Sequence, residues 1–348
     1  MKRKIFLTLC FIMIVASTVY GGDNRVGLTL IPPGTITNKV DLDIRAGIVN
    51  QGTEQQDFKI SIYLNNVEQQ SLLHYSTITL PIGASHSIKY VLNTTDKVGN
   101  NRIILRVEDG KQSYEVTKKF EVIESDIRST RLIDGAWAGI YHWSEIEGKH
   151  WNADIKQMTD AQWHEMVRSM HNIGMDVIVI QEVFRNQEYV GQHKMNVDNY
   201  PGKAFYPSEL YPDRVPIMAH DPLEAILSEA DKLGMSVMMG VGMFAWFDFS
   251  AESLEWHKQV AKELWNKYGS HPSFYSFYIS EECAGNLYNS EQTYEMQLVR
   301  KKEICDFFRE FKKYIKKFAP EKPIMLATNS MGAPFKLCFA FSTWRSIT

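Results

Sequence analysis

Two adjacent carboxylates, Glu281 and Glu282, are the residues of this sequence best suited to proton transfer. They close the run Phe274-Tyr275-Ser276-Phe277-Tyr278-Ile279-Ser280, which is apolar on both alternating faces and follows His271-Pro272-Ser273. A run of this length bounded by turn residues reads as a strand buried in a parallel sheet. Side by side, two carboxyl groups disfavour each other's ionisation, and apolar walls raise the pKa further, so one of them can hold a proton to give. Consecutive strand residues point to opposite faces, so one of the pair is expected to react and the other to support it, unless the strand has already ended. Other polar groups recur at the ends of apolar runs. His142 follows Gly135 to Tyr141, Gln181 and Glu182 follow Met175 to Ile180, Asp248 comes soon after Met243, and Asn329 follows Pro323 to Thr328. Trp143, Tyr206, Trp246 and Phe247 lie on the intervening loops. Glu182 and Asp248 are the other candidates for a second carboxylate. The plainer alternative for each is a solvated loop acid, and for each aromatic a core group.

These strand ends alternate with helices. Thr159 opens the first, with Gln162 three residues on as a capping box and Trp163, Met166, Val167, Met170 and Ile173 as its apolar stripe, before Gly174. Asp221 caps the second, with Pro222 in its first position and Glu224 in its first turn; Leu223, Ile226, Leu227, Ala230 and Leu233 face inward, and Gly234 closes it. Ser250 caps a third that carries Leu254, Val260, Ala261, Leu264 and Trp265. The fourth spans about 291–318, with Val299, Ile304, Phe308, Phe311 and Ile315 on one side and Pro320 beyond it. This alternation implies parallel βαβ units with right-handed crossovers. A nucleotide-binding, doubly wound sheet would carry a glycine-rich phosphate loop after its first strand, and there is none here. Polar groups at successive strand ends suit a (β/α)8 barrel of the TIM type instead. Eight units take about 250 residues, whereas 131–348 shows about five strands, so an incomplete, C-terminally truncated barrel is expected.

Ahead of the barrel stand three further segments. Lys2-Arg3-Lys4, an apolar run from Ile5 to Val19 and the pair Gly21-Gly22 describe a signal peptide over 1–22, too short for a stable membrane span. The chain is therefore expected to be exported, to the periplasm, the cell surface or beyond. The full sequence carries a net charge of −3, and losing the three leader cations leaves −6, which argues against nucleic acid or an anionic membrane as partner. Cys283, Cys305 and Cys338 remain, with no metal-ligand or redox spacing, so neither a disulfide framework nor a metal is expected, and nothing calls for a cofactor. Over 23–124 the segments are short, alternating and β-branched, at 41–49, 58–64, 87–92, 102–107 and 114–122, separated by turn signals such as Asn65-Asn66 and Asp109-Gly110. They read as a β-sandwich. The strand order and the Asn50-Gln51-Gly52-Thr53 turn resemble bacterial immunoglobulin-like modules of the cell-adhesion-related type. A spacer or a substrate-side prop fits this unit better than a ligand-binding module. A polar linker at 125–130 joins it to the barrel.

Trp137, Met158-Thr159-Asp160-Ala161-Gln162-Trp163, Asp176 to Gln181, Gly240-Val241-Gly242 and Phe277 to Glu282 together resemble DUF4434, a bacterial family related to TIM-barrel glycoside hydrolases, over roughly 132–329. The strand ending in Glu282 is also similar to that of the large retaining glycosidase clan, whose motif is an aromatic, three residues and then Asn-Glu. Phe277 takes the aromatic position, Glu281 replaces the Asn, and Glu282 falls at the acid/base. The resemblance implies an exported glycoside hydrolase acting on an oligo- or polysaccharide. Glu282 would be the acid and Glu281 its neighbour, while His142, Trp143, Gln181, Glu182, Trp246, Phe247, Asp248 and Asn329 would contact sugar. The clan's nucleophile lies on a seventh strand that this sequence lacks. The alternative is a non-catalytic carbohydrate-binding or surface-assembly protein.

Overall fold

In the computed structural model the described residues are 24–130, 132–142, 148–185, 194–211, 213–245, 247–283 and 293–328. For Arg185, Glu281, Glu282, Cys283, Ala327 and Thr328 this covers the backbone alone. The N-terminal region is all-β: β1 (Arg25–Ile31), β2 (Thr35–Thr37), β3 (Leu42–Val49), β4 (Gln56–Leu64), β5 (Leu72–Leu80), β6 (Ser85–Leu92), β7 (Gly99–Glu108) and β8 (Ser113–Ile123). They form a three-stranded sheet, β1-β3-β6, and a five-stranded sheet, β2-β8-β7-β4-β5. Strict alternation explains β4, where Phe58, Ile60 and Ile62 are fully buried while Lys59 between them is exposed. Three strands escape the sequence reading. In β5, an edge strand, only Leu80 is buried. In β1, Leu28 to Ile31 are buried without alternation, because the strand is covered on both faces. The third, β2, is only three residues long.

The second region is α/β. Its strands are β9 (Gly135–Ala138), β10 (Val177–Ile180), β13 (Ser236–Gly240), β14 (Phe274–Cys283) and β15 (Ile324–Thr328); a two-residue pair, β11 (Phe184–Arg185) and β12 (Lys203–Ala204), lies apart. The five run parallel in the order β9-β10-β13-β14-β15, so each is beside its predecessor in the chain. The described strands make an open, five-stranded parallel sheet with β9 and β15 at its edges, matching the five strands counted in the sequence; the described residues do not show a barrel. The helices are α1 (Asn152–Gln157), α2 (Asp160–Asn172), α3 (Pro222–Leu233), α4 (Ala251–Tyr268) and α5 (Tyr294–Ile315).

Local signals place these helices. Thr159 and Gln162 make the capping box of α2, and the Asp221 carboxylate accepts the N–H groups of Leu223 and Glu224 at the start of α3. Gly174 and Gly234 take positive φ where α2 and α3 stop. One face of the sheet, with Ile178, Ile180, Val237, Met239, Phe277 and Ile279, packs against helix residues Trp163, Ile226, Val260, Phe308 and Phe311 in a single core. Two stripe residues do not join it. Ile173 is 72% exposed at the C-cap of α2, and Val299 is 69% exposed in the first turns of α5, where burial begins only near Ile304. Cys305 on α5 is disulfide-bonded, a pairing that the spacing of the cysteines did not indicate. None of the described helices is long and apolar enough to cross a membrane.

The opposite face of the sheet carries Val177, Val179, Met238, Tyr275 and Tyr278, and Ile31 of β1 packs with them. The Tyr275 hydroxyl donates to the Leu30 carbonyl at 3.0 Å. Arg25 donates both terminal nitrogens to the fully buried Glu321 carboxylate, just ahead of β15, and its guanidinium lies 4.5 Å over the Trp265 ring. The two N-terminal sheets share one core, in which Leu28, Ile44 and Ile88 join Phe58, Ile62 and Ile103, and this sandwich seats against the N-terminal ends of the parallel strands. Among the described residues its contacts lie at the end of the sheet opposite the candidate residues.

Candidate functional site

At the C-terminal ends of β9 and β10 the chain leaves a cavity of about 230 Å³. Tyr141 and His142 after β9, Gln181 and Glu182 after β10, and Trp151 and Ile155 of the α1 segment form its walls. His142 is held through its backbone. Its N–H donates to Asn152 Oδ1 at 3.0 Å, and the Asn152 amide donates back to the His142 carbonyl at 3.1 Å. Asn152 is itself buried, so this two-point clamp fixes where the imidazole leaves the chain. Trp151 is 43% exposed and meets the His142 ring edge-on at 5.6 Å, which leaves an aromatic surface at the rim. Tyr141 is a buried wall, with Lys156 Nζ 5.3 Å from its ring centre.

The segment after β10 crosses toward β13 and β14. A Cβ on Gly240 would stand 2.3 Å from the Gln181 carbonyl oxygen, so only glycine lets this crossing pass so close. Gly242, at φ +121, likewise admits the Phe184 backbone. The Ser280 hydroxyl of β14 donates to the Gln181 carbonyl. The backbone of Glu281 and Glu282 follows directly on that hydrogen bond. Pairing between β14 and β15 is irregular between Ile279 and Cys283, while the strand itself continues to Cys283. The strand has thus not ended at the two glutamates, but its regular ladder has. Glu182 is 5% exposed and lines the cavity beside this junction.

The structure thus brings His142, Gln181 and Glu182 to one cavity and the backbone of Glu281 and Glu282 to its neighbourhood. Asp248 is elsewhere. It is fully buried ahead of α4, its carboxylate accepts the Ser250 N–H at 2.8 Å, and its carbonyl accepts the Ser253 hydroxyl at 2.6 Å. That is a turn-building role at a helix start. Phe247 takes φ +57, and its carbonyl accepts from the Arg300 guanidinium; it packs against the helix core rather than lining the cavity. Trp143, Trp246 and Asn329 lie outside the described residues. Tyr206 is buried and donates to Glu263, a core role. Trp151, Asn152 and Ile155 were missed, because α1 is a six-residue helix without an apolar stripe; Tyr141 was read only as the end of an apolar run.

The model of DUF4434, described as a domain of unknown function, matches residues 133–345. The chain belongs to the DUF4434 family. No curated protein matches it. Among solved structures, β-glucuronidase 2 of Bacteroides uniformis, covalently bound to cyclophellitol-6-carboxylate aziridine, is 10% identical at a TM-score of 0.35, covering 88% of this chain and 33% of that one. A GH2 β-galacturonidase from Eisenbergiella tayi is 12% identical at 0.35, covering 88% and 45%. The CARDB domain of the PF1109 protein from Pyrococcus furiosus is 17% identical at 0.25, covering 29% and 88%. The DUF4434 chain thus spans about a third of the length of the β-glucuronidase. Within it, the matched region begins just before β9 and takes in the whole candidate site.

Proposed function

We propose that the DUF4434 domain of this chain hydrolyses a glycosidic bond in the cavity at the ends of β9, β10 and β14, with Glu282 as proton donor and Glu182 as the second carboxyl. The observation that carries this reading is a nearly fully buried Glu182 lining a cavity with Tyr141, His142, Trp151 and Gln181, tied by Ser280 to the strand that bears Glu282. Hydrolysis needs one carboxyl to protonate the leaving oxygen and another to attack the anomeric carbon or to activate water. A carboxyl that lines a cavity while buried is the right kind of partner, whereas Asp248 is engaged at a helix start. Trp151 offers a face for a sugar ring, and His142 and Gln181 offer hydrogen bonds to its hydroxyls. Ligand cavities usually run roughly 300–1,000 Å³, so this smaller one suits a single ring rather than a length of glycan.

Three supporting elements belong to the same proposal. Parallel strands in chain order form one arc of a (β/α) barrel, the sandwich serves as an immunoglobulin-like base, and the chain is exported. The basic and apolar start of the sequence supports export, and so does the paired Cys305, since disulfides persist in oxidising compartments. The second reading is glycan binding without cleavage; it draws on the fact that Glu182 is the one carboxyl lining this cavity among the described side chains.

The test is turnover and binding on a panel of aryl glycosides and oligosaccharides, with Glu182→Gln and Glu282→Gln beside the wild type. Each substitution is expected to lower kcat by about 10²–10⁴-fold, the usual contribution of a positioned proton-transfer group. Saccharide binding without turnover in the wild type would select the second reading. Turnover unchanged in both variants, or no saccharide bound at all, would overturn the assignment.

A further inference from the structure

A second cavity of about 230 Å³ lies at the other end of the sheet, where the sandwich meets the starts of β10, β13 and β14. Its polar walls come from both regions: Thr29 of β1 and Lys118 of β8 on one side, and Asp176, Asp231, Ser273 and Lys322 on the other. The Thr29 hydroxyl is buried there and has no hydrogen-bond partner among the described residues. A buried hydroxyl without a partner is costly, and each such group in a folded protein calls for an explanation.

The charges around it are unevenly satisfied. Asp231 receives the His271 ring at 2.7 Å and the Ser273 N–H at 2.7 Å. Asp176 lies 3.9 Å from His171, and Glu321 nearby is held by both nitrogens of Arg25. The lysines have less. Lys118 donates to the Pro272 carbonyl at 3.2 Å. Lys322 donates to the Phe274 carbonyl at 2.6 Å and is 4.0 Å from Glu321. Each ammonium carries three N–H groups, so both retain donor capacity beside the uncommitted hydroxyl. Burial holds both lysines below their ordinary pKa, Lys322 at about 8, and Lys118 is one of the charges that lower it. An anion between them would reverse that effect.

We propose that this interdomain cavity binds a small oxyanion, a carboxylate or a phosphate, held by Lys118, Lys322 and the Thr29 hydroxyl. Thr29 and Lys118 belong to the sandwich and Lys322 to the α/β region, so the ligand bridges the two and stabilises their contact by mass action.

The test is calorimetric titration and thermal melting of the full chain with sodium phosphate and with sodium malonate, against sodium chloride at matched ionic strength. One saturable site is expected for at least one anion, with a rise in Tm that the chloride control lacks. Thr29→Val keeps the side-chain shape and removes a hydroxyl that has no partner, so it is expected to fold as the wild type does and to bind about threefold to tenfold more weakly. Lys118→Gln is expected to lose about tenfold or more, as a charge-assisted contact. Binding of phosphate alone or malonate alone identifies the headgroup. The proposal is overturned if neither anion titrates above the chloride control, or if both variants bind as the wild type does.

Discussion

Gly27 of β1 and Gly47 of β3 face each other across the ladder, and the Glu321 carboxyl enters the slot they leave. A Cβ on Gly27 would stand 2.5 Å from both the carboxyl carbon and Oε1 of Glu321, and it would meet nothing else so closely. Gly27→Ala must therefore push the carboxylate away from Arg25. Separating a buried pair costs about 3–5 kcal/mol. The Arg25 side chain is 20% exposed and can recover some hydration, so the lower end, about 3 kcal/mol, is expected. Glu321→Ala should cost a similar amount by removing the partner outright. The decisive measurement is a double-mutant cycle by urea denaturation. In the Glu321→Ala background the extra methyl has no carboxyl to displace, so Gly27→Ala should add less than about 1 kcal/mol, a coupling of about 2 kcal/mol. Gly47→Ala makes the control. Its Cβ would also meet the Glu321 backbone nitrogen and Pro320 at 2.8 Å, so its cost should persist in that background. If Gly27→Ala is equally costly with and without the glutamate, the slot does not exist to admit this side chain.

Burial raises the Glu321 pKa, but Arg25 and Lys322 lower it by more, so the net value lies below the ordinary 4.5; the stability it lends is present above about 4.5 and lost as pH falls through the lower folded value, and acid melts of Glu321→Gln should lack that loss. His271 is opposite in sign: burial lowers its pKa, yet Asp231 and Glu224 raise it above 6.5 overall, so its contribution is present at pH below 6.5 and fades as pH rises through the folded value, and His271→Gln should flatten the melting profile across that window. Ile173→Gln should leave stability within about 0.5 kcal/mol, whereas Ile304→Ala, at 2% exposure, should lower it by about 2–5 kcal/mol in denaturant titration.

Legibility differed with the range of the interaction. The Thr159–Gln162 box, the Asp221-Pro222 start and Gly234 each act within one helical turn, and each stands in the structure as its residue types dictate. The two buried faces of Phe274 to Ile279 were likewise legible, since a strand covered on both sides leaves no polar alternation. Ile173 and Val299 were misplaced because periodicity reports which side of a helix is apolar, but not how far along that side a neighbour reaches. At the candidate site, His142, Gln181 and Glu182 were visible as polar groups ending apolar runs. Trp151 and Asn152 had no such mark, because their roles depend on where a short helix lands.

By itself, then, the sequence determined the type of each long element, the parallel α/β class of the second region and the strand ends at which polar groups would gather. Those follow from short-range capping and from the burial period, which any local stretch of chain carries. Only the tertiary structure decided which carboxylate lines a cavity and which builds a turn, that the sandwich sits under the sheet, and that a glycine pair in one region receives a glutamate from the other. Such pairings join residues nearly three hundred positions apart, and no local pattern encodes a contact whose geometry exists only once both regions have folded.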